Sequence, residues 1–161
     1  TLERSPREPI TLKELGAIAL RQSQYPKARD LLQRALEVDA YDPEVHFNLA
    51  RTLQRLGDDD DARREDALAQ KLRAEHRRLA DVRALLVKQP TNPALRIEVM
   101  RWMLDHGRDA EGLNWAEQIL HDHPGNEETI RALVDYFTRV KDPGKANYYR
   151  MLLKTSGKGT P

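Results

Sequence analysis

Residues 15–36 read LGAIALRQSQYPKARDLLQRAL. Apolar and small residues recur here every three to four positions, the spacing of one helix face, and Pro26 divides the stretch into two such segments. The placing of the small residues decides the fold. Gly16, Ala28 and Ala35 stand where larger apolar side chains would bury more surface on a lone amphipathic helix. Helix propensity accounts for the alanines. It does not account for Gly16, because glycine in a helix interior costs roughly 0.8–1.0 kcal/mol relative to alanine. Two helices packed almost backbone to backbone offset that cost. The stretch therefore reads as a helical hairpin with small residues at its crossing.

The pattern returns along the chain. Leu15-Gly16, Tyr25, Ala28 and Ala35 recur 34 residues on as Leu49-Ala50, Asp59, Ala62 and Ala69. A further 50 residues give Val99-Met100, Asp109, Gly112 and Ile119, and another 34 give Leu133-Val134, Pro143, Ala146 and Leu153. The interval of 50 is 34 plus an insertion of 16. Each unit predicts two short helices: 11–22 with 26–38, 43–56 with a helix after the acidic run 58–61, 93–106 with one ending near 121, and 127–141 with one ending near 154. Gly57, Gly107 and Asp142-Pro143-Gly144 mark the turns, while Pro26, Pro43 and Pro93 open helices.

These residues resemble the tetratricopeptide repeat family. Leu12, Leu15, Gly16, Ala19, Tyr25, Ala28, Leu32 and Ala35 match its pattern in the first repeat, and His46, Leu49, Ala50, Leu53, Gly57, Ala62 and Ala69 in the second. The third and fourth are degenerate, with Met100 and Val134 at the small eighth place. The resemblance implies an all-α, right-handed superhelical array of about four hairpins over 9–154. Its repeats are 9–42, 43–88, 93–126 and 127–154, with flexible tails at 1–8 and 155–161. It also implies a concave surface lined by the first helix of each repeat. At the groove positions stand Lys13, Arg21, Phe47, Arg51, Gln54, Arg55, Ile97, Arg101, Leu104, Arg131, Asp135 and Arg139, with Asn48 beside them. Seven cations against Glu44, Asp105, Glu128 and Asp135 make that groove modestly basic, suited to an extended peptide with acidic and apolar side chains. The family's clamp for chaperone C-termini is not predicted. Lys13 and Asn48 match it, but Ala17, Ala94 and Glu98 do not.

The insertion falls in the second helix of the second repeat. Residues 61–88 contain no Gly or Pro, which predicts a helix of 28 residues, about 42 Å long at 1.5 Å per residue. Its acidic start suits the free N–H groups and the helix dipole. The four aspartates lack the glycine and closing glutamate of a calcium loop. Leu68, Leu72, Glu75, Leu79, Val82 and Leu86 are spaced 4, 3, 4, 3, 4, a coiled-coil seam with one polar place. That seam packs against the third repeat or, in the alternative, makes a homodimer. Tyr149, Met151, Leu152 and Leu153 on the last helix offer a second surface for self-assembly. Trp102 and Trp115 are expected in the core or against the long helix.

The chain has 161 residues, 33% charged and 39% apolar, with a formal charge of +1 and no cysteine. Disulfides, thiolate metal sites and a cysteine nucleophile are excluded. The near-neutral total does not indicate a nucleic-acid binder, and the groove lacks stacking aromatics beyond Phe47, so single-stranded RNA ranks low. No run reaches the roughly 18 apolar residues of a membrane span. The start at Thr1 fits a soluble excised domain or processed chain, and the compartment is not legible. His121 and His123, two apart, point to different helix faces and would not share a metal. His46 is expected in packing, His76 among Arg77 and Arg78 in solvent, and His106 before the Gly107 turn. With no phosphate loop, serine nucleophile motif or paired metal histidines, the expectation is a non-catalytic protein-interaction scaffold without cofactor or metal.

Overall fold

The computed structural model describes residues 8–156, which form eight α-helices and no strand. They are α1 Glu8–Arg21, α2 Tyr25–Val38, α3 Pro43–Leu56, α4 Asp59–Lys88, α5 Pro93–Asp105, α6 Asp109–Asp122, α7 Glu127–Arg139 and α8 Pro143–Ser156. This is an all-α helical repeat of four hairpins, with the extended helix in the second. The helix α8 runs into the stretch expected as a tail. Residues 1–7 and 157–161, the remainder of the expected tails, lie outside the described residues.

One turn, used four times, closes each hairpin. Ser23, Gly57, Gly107 and Lys141 have positive φ, and their spacing is again 34, 50 and 34. Around them the N–H groups of Gln24, Asp58, Arg108 and Asp142 bond back to the carbonyls of Ala19, Leu53, Met103 and Phe137 at 2.9–3.0 Å. That six-to-one bond satisfies a carbonyl the helix end would leave unpaired. Between successive helix pairs, Asp42, Asn92 and Asn126 cap α3, α5 and α7 with their side-chain oxygens. Their spacing, 50 and 34, repeats the register of the array.

The chain forms two compact units that divide between Arg77 and Arg78, within α4. In the first, Ala19 and Ala28 join Leu31, Leu32, Ala35, Val45, Leu49, Leu53 and Ala62 in one core. A Cβ added at Gly16 would lie 2.8 Å from the Leu32 side chain, so the glycine marks a real close approach. In the second unit, a core of Ile97, Met100, Leu104, Ala116, Ile119, Leu133 and Phe137 holds α5, α6 and α7 together. Here the size pattern is exchanged. Met100 stands where Gly16 stands and Ala116 where Leu32 stands, and both are buried. The apparent degeneracy of the third repeat is thus a swap of large and small across one crossing, which conserves volume.

The helix α4 has 30 residues, about 45 Å. Its buried stripe runs through Ala62, Ala69, Leu72, Leu79 and Val82. Leu68 is exposed, because Ala69 takes the inward place next to it. Leu79, Val82 and the half-buried Leu86 pack against Val99 and Met103 of α5, with Trp102 and Trp115 at the edge. At Leu79, Val82 and Leu86 the stripe is filled within the chain by the third repeat, the first of the two readings of that seam.

The crossings make a direct prediction. Gly112→Ala should lower the unfolding free energy by roughly 1–3 kcal/mol. Its new Cβ would meet the Leu104 side chain at 2.6 Å and the Leu104 backbone nitrogen at 3.1 Å. Gly16→Ala should cost less, since only the Leu32 side chain lies that close. Urea titration of both variants reads this. A gain in stability from alanine's better helix propensity would show the crossings to be looser than described.

Candidate partner-binding surface

The first-helix faces lie on α1 and α3 in one unit and on α5 and α7 in the other. On α1, Lys13 is not a free groove cation. Its Nζ donates to Asp42 Oδ2 at 2.9 Å and pairs with Glu44 Oε2 at 2.5 Å. Asp42 meanwhile caps α3, its Oδ1 accepting from the N–H groups of Glu44 and Val45 at 2.8 and 3.2 Å. Partial burial works against both charges. The hydrogen bonds and the opposite charges outweigh it, holding Lys13 above its ordinary range and Asp42 below. Arg21 is exposed and makes no ion pair with a described residue.

On α3 the arrangement differs. Phe47 is half-buried, and two guanidinium groups lie near its ring: that of Arg51 at 5.8 Å from the centroid and that of Arg73, from α4, at 4.5 Å. Neither arginine pairs with a described carboxylate, nor does the exposed Arg55. A cleft of about 350 Å³ opens beside the ring, lined by Phe47, Ala50, Arg51, Gln54, Asp59, Ala62, Arg63 and Asp66. Its origin is legible in the register. Ala50 keeps the small residue of Gly16, while Asp66 replaces the large Leu32, so nothing fills the crossing. Asn48 is half-buried on the same helix. His46 is buried, with Nδ1 2.6 Å from Glu65 Oε2 and Nε2 2.9 Å from the Ala40 carbonyl oxygen, which ties α3 to α4.

In the second unit the expected groove cations are matched by acids. Arg101 meets Glu128 at 3.6 Å and Arg131 meets Glu127 at 3.1 Å. Arg139 donates to Asp105 Oδ1 at 2.8 Å and to the Leu104 carbonyl at 2.5 Å. Asp135 is exposed. Ile97 and Leu104 were expected to offer apolar contacts in the groove. They are 3% and 4% exposed and belong to the core. The cause is that α5 is covered on more than one side: Val99 and Met103 face α4, while Ile97, Met100 and Leu104 join the core shared with α6 and α7.

A second cleft of about 540 Å³ lies among α6, α7 and α8, floored by Ala116, Leu133 and Phe137 and edged by Glu117, His121 and Lys145. Tyr149 lines it, and burial pushes its phenol up from the ordinary value. The neighbouring Tyr148 and Met151 are exposed. Sequence reasoning missed Arg73. It corresponds to Asp39, just past the end of α2, so the register gives it no place on a helix face, and only the packing of α4 on α3 brings it to Phe47.

Among the described residues there is no cluster of three or more His, Asp or Glu side chains able to hold a metal ion, and no helix is long and apolar enough to cross a membrane. Residues 19–86 match the family model described as tetratricopeptide repeat. That segment is similar to the tetratricopeptide repeat family. Proteins of that family are generally non-catalytic scaffolds for protein–protein interaction. No curated protein matches the sequence. Among solved structures, MamA AMB-1 is similar at 16% identity and a TM-score of 0.47, covering 98% of this chain and 96% of that one. PilW, a widely conserved type IV pilus biogenesis factor, is similar at 14% identity and 0.47, covering 98% and 81%. YrrB, a TPR protein with an unusual peptide-binding site, is similar at 13% and 0.45, covering 91% and 86%.

The Lys13–Asp42 pair has a pH signature. A carboxyl held below its usual range stabilises the fold fully above its unfolded value, about 3.9, and that contribution is lost as pH falls through the folded value. Asp42→Ala should cost about 1 kcal/mol near neutral pH through the lost cap. The gap in melting temperature between wild type and variant should shrink from pH 6 to pH 2.5. A gap that widens in acid would contradict the assignment.

Proposed function

We propose that the module holds its protein partner through an extended peptide laid along α3 of the first unit, beside Phe47, Arg51, Gln54 and Arg55. One observation carries this reading: the cations of α3 stand unpaired next to a half-buried ring and an open cleft, whereas those of α5 and α7 are matched by their own acids. An exposed cation already paired with an acid gains little from a second one. An unpaired cation beside apolar surface gains from an incoming carboxylate and orients it. The mechanism is recognition by shape and charge on rigid helices, with no bond made or broken. Self-assembly through α8 is the weaker reading, because Lys145, Arg150 and Lys154 with no acid on that helix would repel a second copy. Binding of single-stranded RNA is weaker still, since Asp59 and Asp66 line the same cleft.

The test is affinity capture on the immobilised module, with Arg51→Glu/Arg55→Glu beside it and Arg131→Glu as the control on the second unit. A partner held by wild type and control should fall roughly tenfold or more on the double variant, the size expected when an attractive charge becomes repulsive. Equal recovery on all three surfaces would rule out α3 as the docking helix.

A further inference from the structure

The cation at the Phe47 ring that comes from outside the first helices is Arg73. It comes from the middle of α4, one residue past the point where a second helix of the length of α2 would end, yet its guanidinium lies closer to the Phe47 ring than that of Arg51 does. Two like charges beside one ring, neither matched by a described acid, leave most of their N–H donors unused by described protein groups. An anion placed beside the ring would accept from two planar forks, the geometry at which arginine excels. The ring supplies a face for the aliphatic part of the group that bears the charge.

The surroundings narrow the anion further. The cleft continues from the ring over Ala50 and Ala62, which are small and apolar. At the same cleft stand Asp59 and Asp66, which repel a second negative charge. A chain with a charge on every unit, such as a nucleic acid, would bring a phosphate against those aspartates. A peptide with one acidic residue followed by apolar ones would not.

We infer that Arg73 and Arg51 form a two-arginine seat over Phe47 for a single peptide carboxylate, with the following apolar side chain lodged on Ala50 and Ala62. This rests on the α3 docking surface proposed above and makes the inserted helix part of the specificity of the site. Arg73 is exposed and has no ion pair with a described residue to lose, so its replacement separates recognition from folding.

The experiment uses the whole chain labelled with ¹⁵N and two probes, the heptapeptides Gly-Ser-Glu-Leu-Leu-Ser-Gly and Gly-Ser-Gln-Leu-Leu-Ser-Gly, both blocked at their termini. Titration of the glutamate peptide should shift the side-chain Nε–H resonances of Arg51 and Arg73 along saturable curves, weakening steeply with salt. The glutamine peptide should bind at least fivefold more weakly. Arg73→Met should cost the glutamate peptide fivefold or more and leave its glutamine counterpart unchanged, while Arg77→Met, one turn on, should behave as wild type. Equal binding of the two peptides, or an Arg73→Met variant that binds as wild type, overturns the seat. If Arg73→Met binds normally while Arg51→Glu does not, the seat fails and α3 docking stands. No shift with either peptide overturns the seat and leaves the capture experiment to judge α3 by itself. An oligouridylate that moves the same two resonances at equal concentration overturns the choice of peptide.

Discussion

The close crossing of two helices within each hairpin is the constraint on which the structure depends. At Gly16 and at Gly112 the facing leucine comes so near that a single methyl group would collide with it. Such an approach lets a hairpin of two fourteen-residue helices, each marginal by itself, bury a continuous core. It also fixes what else the sequence must do. The partner of each small residue has to be large, and where the large residue moves to the other helix, as in Met100 and Ala116, the crossing survives. Where neither side is large and apolar, at Ala50 and Asp66, the crossing opens into a cleft. The most interesting surface of the first unit is therefore a direct product of the rule that builds the others.

The sixteen-residue insertion acts through the same rule. A second helix of ordinary length, such as α2, packs on the first helix of its own repeat and on that of the next. Because α4 continues without a Gly or Pro, its first part carries Ala62 into the core of the first unit and its later part carries Leu79 and Val82 against α5 in the second. One uninterrupted set of backbone hydrogen bonds thus serves both units. The same extension keeps Arg73, which would otherwise fall just past the second helix, in helical geometry beside Phe47.

Charge follows a different logic from packing. Seven cations at groove positions make a basic surface on paper. In the folded chain Lys13, Arg101, Arg131 and Arg139 each sit within 4 Å of a carboxylate, and exposed pairs of that kind contribute little to stability while masking the field they would otherwise project. Among the described residues, Arg51 and Arg55 on α3 and Arg21 at the end of α1 remain unmatched at those positions, with Arg73 of α4 beside the first of them.

The helical hairpins, their register and their turns were legible in the order of residues, because glycine, proline and a small-large-small pattern act over a few positions and leave a periodic trace. Gly16, Ala28, Gly57 and Gly112 all stand where that trace placed them, and the long helix followed from the absence of any breaker. The burial of Ile97 and Leu104, the exposure of Leu68 and the arrival of Arg73 at Phe47 came only with the folded chain. Each depends on which helix lies against which, and the distance between residues 47 and 73 in space is set by the packing of α3 on α4, a contact between residues far apart in the chain that no local pattern encodes. Whether a surface arginine meets an acid or stays open is decided in the same way, by neighbours supplied from other helices.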